Sequence, residues 1–188
     1  MEERGPVAIG ALTTLRVGGP CRRVLVPANE AEIVEAVTRC DAEDEPVLLV
    51  GGGSNLVVAD EGFPGTVVLV GSRGISVRPA DEGFVQVEVA AGEPWDGVVQ
   101  RAVDEGWSGV EALSGIPGLT GATPVQNVGA YGQEVAQTVV GVRVYDRATS
   151  AVVHLSTAAC GFAYRTSRFK GLDRWVVLSV SFRLESSP

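Results

Sequence analysis

The chain is poor in residues that build metal centres or hydrolytic triads: one histidine, His154, one lysine, Lys170, and three cysteines in 188 residues. A single imidazole cannot form a histidine cluster. A Ser-His-Asp triad would have to use His154, which lies between Val153 and Leu155 in a strand-like run with no nucleophile context, so it is read as structural. Cys21, Cys40 and Cys160 are odd in number, far apart and outside any CxxC pairing. That spacing argues against both a disulfide framework and a zinc site, and for a reducing compartment. No apolar run approaches ~18 residues and MEERGPVAIG lacks an apolar signal core, so neither membrane spanning nor export is expected and the chain is read as cytoplasmic. Basic residues are outnumbered 15 to 23, leaving a formal charge of −8. Such a field repels nucleic acid and acidic lipid, and any anion must be held locally by backbone N–H groups and a few placed cations.

Apolar residues make up 45% of the chain, enough for a core without a disulfide or metal. A short strand, Val24 to Val26, ends at Pro27; Asn29 with Glu32 three residues on has the spacing of a helix cap. Ile33, Val37 and Cys40 form the helix stripe, widened by Val34 and Ala36, and the apolar run Val47 to Val50 completes a strand-helix-strand unit. Val67 to Val70 reads as a buried strand and Val85, Val87 and Val89 as an alternating one. A second helix follows Pro94, with Val98, Val99, Ala102 and Val103 as its stripe and Gly106 at its end. Strands then return at Val140 to Tyr145, Val152 to Leu155 and Val176 to Phe182, with a polar turn at Asp146 to Ser150. The class is α+β, without repeats or low-complexity linkers, in two lobes divided near residues 70 to 80.

Three segments carry chemistry. Directly after Val50, Gly51-Gly52-Gly53-Ser54-Asn55 offers an uncovered backbone and two side-chain donors, which suits a diphosphate and equally suits a plain turn leaving a strand. It is neither G-x-G-x-x-G, whose third glycine would fall at Leu56, nor a Walker loop, since the chain has no Gly-Lys pair; a phosphate cradle here belongs to another nucleotide fold. Residues 114 to 132, with five glycines and two prolines, cannot be a regular helix or strand over most of their length. Their apolar content favours an ordered loop packed on a flat ligand, with Gln126, Asn127 and Tyr131 as polar contacts; a connector between lobes is the alternative. In Phe162 to Lys170, Arg165, Arg168 and Lys170 put three cations into six positions of an acidic chain. That run suits an anionic substrate, or a solvated edge paired with acids such as Asp173.

These segments in this order resemble the UDP-N-acetylenolpyruvoylglucosamine reductase family, also called UDP-N-acetylmuramate dehydrogenases. The resemblance rests on Thr14-Leu15-Arg16-Val17-Gly18-Gly19-Pro20, GGGSNLVVADEGFPG at 51 to 65, SGIPGLTGATPVQNVGAYGQEV at 114 to 135 and YRTSRFK at 164 to 170. It implies a two-lobed FAD-binding fold of the vanillyl-alcohol-oxidase (PCMH) type, with lobes at 1–75 and 76–188 and FAD between them. FAD would be noncovalent, because Ser54 and Asn55 stand where relatives of the superfamily that bind flavin covalently use a histidine. The cofactor-binding residues so implied are Val50, Gly51, Gly52, Gly53, Ser54, Asn55 and Leu56, then Ser114, Gly115, Ile116, Pro117, Gly118, Gly121, Ala122, Gln126, Asn127, Gly129, Ala130 and Tyr131. Tyr164, Arg165, Gln126 and Tyr131 would touch substrate, Arg165 being the catalytic arginine; no metal is implied.

The implied reaction is NADPH-dependent reduction of an enolpyruvyl UDP-sugar to UDP-N-acetylmuramate in peptidoglycan precursor synthesis, and through it a part in cell shape and division. The partners are small molecules, with no obligate protein partner evident. Two departures stand out. The substrate-binding domain of the family, with its proton-donating serine, and its later glutamate are absent before Pro188; Ser186 and Ser187 are read as a tail without that role. A fragment is favoured over a shortened natural form, and a noncatalytic flavin-binding module is the alternative function. Ala122 stands where many relatives have glycine, which is tolerable at negative φ.

Overall fold

A computed structural model describes residues 1–186; Ser187, named above with the terminal tail, lies outside the described residues. The chain divides into two compact units, Met1–Ser72 and Arg73–Pro188.

The first unit is built on strands β1 (Glu2–Arg4), β2 (Cys21–Val26), β3 (Val47–Val50) and β4 (Phe63–Leu69), in the order β1-β2-β4-β3. β2, β4 and β3 run parallel and β1 is antiparallel to β2. Helix α1 (Glu30–Ala42) links β2 to β3, which are not neighbours: β4 lies between them. The Asn29 side chain accepts the N–H of Glu32 at 3.0 Å and caps α1 as the spacing requires. Both faces of the sheet are covered, which is why its strands read as continuous apolar runs. Val24, Val67 and Val50 pack with Ile9 and Val7 of the N-terminal segment, whereas the alternate residues Leu25, Val68 and Leu49 pack with Ala36 of α1. Each fully buried valine or leucine contributes roughly 1.5–3 kcal/mol.

The second unit has a sheet ordered β11-β10-β12-β6-β5, from β5 (Ile75–Pro79), β6 (Phe84–Ala90), β10 (Val139–Asp146), β11 (Ala151–Ser156) and β12 (Trp175–Ser186). All its pairings are antiparallel, and β7 (Trp107–Ser108) adds a short pairing to the end of β12. The final strand therefore runs through Ser186, four residues beyond the expected Phe182. Helix α2 (Trp95–Asp104) begins after Pro94 and buries Trp95, Val98, Val99 and Ala102. Trp95 rests on Phe182, ring centroids 5.7 Å apart, and donates its indole N–H to the Leu113 carbonyl at 3.2 Å. Val103, expected in the stripe, is 52% exposed: the helix turns it one position past the buried face. Gly106 follows α2 with φ +71°, the left-handed conformation that suits a helix end.

Candidate functional site

In the first unit the triple-glycine segment leaves β3 as a series of bends. Gly53 is buried with φ +64°, and its carbonyl accepts the N–H of Thr14 at 3.0 Å. A Cβ at Gly53 would drive into the carbonyl oxygen of Leu12 and reach 2.9 Å from Thr13 Cα. The glycine is thus required by close packing between two main-chain segments, the second of them leading into the Thr14–Pro20 motif. Gly52 and Asn55 lie exposed, Gly51, Ser54 and Leu56 are half-buried, and Val50 is buried. No charged side chain occurs in 51 to 56. The donors there are main-chain amides, one hydroxyl and one carboxamide, a set that suits a diphosphate's spread charge.

In the second unit the 114–132 segment is ordered by contacts at both ends. Asp96, in the first turn of α2, accepts the N–H of Gly115 at 2.6 Å and the hydroxyl of Ser114 at 3.1 Å. Trp95 N–H bonds the Gly118 carbonyl, Thr120 N–H the Glu93 carbonyl and Gly121 N–H the Ala91 carbonyl. A Cβ at Gly121 would stand 2.6 Å from Ala91 Cβ, so this glycine permits the close approach. The amides of Gly115 and Gly121 are committed to protein acceptors, and a ligand on this loop must meet other groups of those residues. Residues Thr120–Ala122 form a 3-10 turn, and Ala122, exposed, has no positive φ, which accommodates its methyl. Ile116 and Gly118 are half-buried and Pro117 is exposed.

Further along, β8 (Gly129–Ala130) and β9 (Gln133–Glu134) form a two-stranded hairpin that lifts Tyr131 into solvent at 94% exposure with φ +51°. Gln133 and Glu111 clamp the hairpin: Gln133 accepts the Ala112 N–H and donates to Glu111, whose carboxylate also accepts the Gly109 N–H at 2.6 Å. Partial burial works to raise the Glu111 carboxyl, but the backbone N–H groups of Glu111 itself, Gly109 and Val110, with Gln133, outweigh it and leave it below the usual range.

The basic run folds back onto this loop. Ala163 and Thr166 pair across a tight turn that carries Tyr164, 80% exposed, and Arg165 with φ +52°. The Arg165 guanidinium donates to the carbonyls of Asn127 at 3.4 Å and Gly129 at 2.5 Å, and lies 5.4 Å from the Tyr164 ring. Ser167 donates to the Val125 carbonyl at 2.7 Å. Lys170 donates to the Arg165 carbonyl and Arg168 to that of Ala159, so main-chain oxygens, not surface acids, hold the three cations. The structure brings Asn127, Gly129 and Arg165 into one cluster, with Gln126 half-buried beside it in sequence. Sequence reasoning passed over Asp96, Glu134 and Ser167. Glu134 and Ser167 were within reach, since they lie in the quoted runs at 114 to 135 and 164 to 170; Asp96 shows only through tertiary contact. No group of three or more His, Cys, Asp or Glu suited to a metal ion occurs among the described residues. None of their helices is long and apolar enough to cross a membrane.

The chain is similar in sequence and in fold to known proteins. The chain is 56% identical over 176 residues to the UDP-N-acetylenolpyruvoylglucosamine reductase of Salinispora arenicola, covering 94% of this chain and 48% of that protein. It is similar to the crystal structure of the UDP-N-acetylenolpyruvylglucosamine reductase of Thermus caldophilus, with TM-score 0.79 and 29% identity over 100% of this chain and 64% of that one. The VAO-type flavoprotein of Myceliophthora thermophila shares the fold, with TM-score 0.67 and 14% identity over 88% of this chain and 32% of that chain. The chain spans about half the length of the curated relatives it matches. A family model described as FAD binding domain matches residues 21–156, taking in the triple-glycine strand end and the whole 114–132 loop. By that match the chain belongs to the FAD binding domain family.

Proposed function

We propose that this chain is the FAD-binding part of a UDP-N-acetylenolpyruvoylglucosamine reductase, holding FAD noncovalently and presenting Tyr164 and Arg165 to the enolpyruvyl group of a UDP-sugar. The observation that carries the reading is Arg165, a left-handed arginine fixed by two carbonyls of the glycine-rich loop. A guanidinium has five N–H donors and these carbonyls take two of them, so three serve an anion.

FAD fits the donor sets available. Residues 51 to 56 provide uncharged main-chain and side-chain donors for its diphosphate, and residues 114 to 131 provide the glycine-rich surface for the rest. Nothing stands within 4 Å of a Cβ built on Gly115 or Gly132, so main chain is open to a flat ligand there. When bound, FAD supplies hydride transfer, with NADPH as donor. The protein's own task is geometric and electrostatic. Arg165 stabilises negative charge that develops beside the substrate carboxylate, and Tyr164, Tyr131 and Gln126 orient the sugar nucleotide. In this reading residues 1–75 and 76–188 are the two lobes of the cofactor fold, and the protein works in the cytoplasm, where its nucleotide substrates are kept.

Titration of the purified chain with FAD, followed by flavin fluorescence, tests the reading. Saturable quenching at one flavin per chain is expected, and unchanged fluorescence rejects the proposal. Arg165→Ala is expected to keep FAD affinity and to lose calorimetrically measured binding of the enolpyruvyl UDP-sugar.

A further inference from the structure

We propose that Asn127 is a positioning residue for Arg165, a clasp joining the 123–136 loop to the 163–166 turn, rather than a contact to the cofactor; the inference rests on the role given to Arg165 above. Asn127 is 1% exposed, which leaves its side chain no surface to offer a ligand. Its carboxamide is satisfied on every side. Nδ2 donates to Glu134 Oε2 at 2.8 Å and to the Ala163 carbonyl at 3.1 Å, while Oδ1 accepts the Ala136 N–H at 3.1 Å. One donor therefore ties the residue to its own loop and the other to the base of the turn that carries Arg165.

The main chain of Asn127 completes the clasp. Its φ is +47°, and its carbonyl accepts from Arg165 Nη1 while Gly129 O accepts from Nη2. A Cβ at Gly129 would stand 2.9 Å from Arg165 Nη1 and 2.7 Å from the Gln133 carbonyl, so the guanidinium closes on this loop only because position 129 is glycine. Among the described residues, the non-glycine residues with positive φ are Arg16, Asp44, Asn127, Tyr131, Ser150 and Arg165. Two of the six, Asn127 and Arg165, belong to this cluster. Backbone held in a sparsely populated region persists where surrounding contacts over-determine it, and such positions concentrate at functional sites. Asparagine tolerates the left-handed region better than other side chains and brings the two donors the clasp uses.

The test reads the arginine directly, in the 188-residue chain without FAD, by 15N-edited NMR of the guanidinium groups, with Arg165 assigned from Arg165→Lys. In the native chain the Arg165 Nη protons are expected to give separate, slowly exchanging signals. Asn127→Asp keeps the shape, removes both donors and sets a carboxylate against Glu134 and the Ala163 carbonyl. Its Arg165 signals are expected to merge, with Nη exchange at least about ten-fold faster. Those of Arg174, held separately by Asp146, should stay unchanged in the same spectrum. Glu134→Gln retains an acceptor for Nδ2 and should preserve the Arg165 signals. If Asn127→Asp unfolds, seen as loss of the Arg174 signals as well, Asn127→Gly is read instead, because glycine suits the positive φ and keeps the carbonyl while deleting the side-chain clasp. Unaltered Arg165 signals in a folded variant at position 127 overturn the proposal. The FAD titration of the native chain separates this failure from that of the functional reading: an ordered Arg165 in a chain that ignores FAD leaves the clasp standing, and FAD binding with an Arg165 indifferent to position 127 removes the clasp alone.

Discussion

Replacing Gly53 with alanine tests whether the triple-glycine segment is shaped by contact or by loop chemistry alone. Two penalties combine there. The left-handed conformation, φ +64°, costs an alanine about 1–2 kcal/mol. The new methyl also enters the Leu12 carbonyl oxygen far inside the roughly 3.3 Å at which carbon and carbonyl oxygen touch. Relief requires the two main-chain segments to part, which breaks the Thr14 N–H bond to the Gly53 carbonyl, worth about 1 kcal/mol. The sum is about 2–3 kcal/mol before residual strain, a large share of the roughly 5–15 kcal/mol that holds a domain together. For a chain of this size it corresponds to a fall of about 4–12 °C in melting temperature.

Gly171→Ala is the matched control, since Gly171 has φ +71° and nothing within 4 Å of a built Cβ. It should show the conformational part alone, about 1–2 kcal/mol. Calorimetric melting of both variants, with hydrogen exchange at the Thr14 amide, measures the difference. Thr14 protection should drop in Gly53→Ala and persist in Gly171→Ala. Equal melting temperatures and an unchanged Thr14 amide would refute the argument.

The Asp146 carboxyl is held down to about 2 by Arg174, which donates Nε and Nη2 at 2.7 Å each, with Thr149 and the Ala148 N–H assisting against the effect of burial. A depressed carboxyl stabilises the fold fully above its ordinary value of 3.8, and that share is lost as pH falls toward about 2. Denaturant titrations between pH 5 and pH 2 should therefore give a shallower loss of stability in Asp146→Asn than in the native chain, and parallel profiles would contradict the assignment. Burial pushes the Cys160 thiol up to about 11, partly offset by Arg168. At pH 8 it should resist alkylation in the folded chain and react once the chain is unfolded, as peptide mass spectrometry would show. Ser167 is buried, donates to the Val125 carbonyl and accepts the Phe169 N–H, so Ser167→Ala should destabilise by about 1–3 kcal/mol in denaturant titration.

Much of the frame is legible in the chain because short-range rules govern it. Asn29 and Glu32 announce α1, and the alternation Val85, Val87, Val89 announces β6. The order β1-β2-β4-β3 is not legible. A parallel sheet covered on both faces reads as uniform apolar runs, which say that strands are buried and nothing about which lies beside which. β1 and β5 escape notice for the opposite reason: EER is fully exposed and ISVRP nearly so, and register with β2 and β6, not burial, makes them strands. The candidate site was legible as residue types and spacing. Its conformation was not, because Asn127, Tyr131 and Arg165 occupy left-handed backbone that local propensity disfavours.

The choice of acceptor for each arginine carries a further consequence for binding in a chain of charge −8. Arg174 is matched by Asp146, and Arg23 lies among Glu3, Glu43 and Glu45, so those guanidinium charges are cancelled where they stand. Arg165 has no carboxylate within ion-pair distance among the described residues; neutral carbonyl dipoles fix its direction and leave its charge intact. A carboxylate partner would position the group equally well but would meet an incoming anion with repulsion of its own. Anchoring on carbonyls solves both demands at once, at the expense of a strained backbone at Arg165 and of a loop whose carbonyls must be turned outward by left-handed and glycine residues. That requirement accounts for Gly129 and for Asn127, and it places the anion-binding capacity proposed for the second unit in the fold of the loop as much as in the arginine itself.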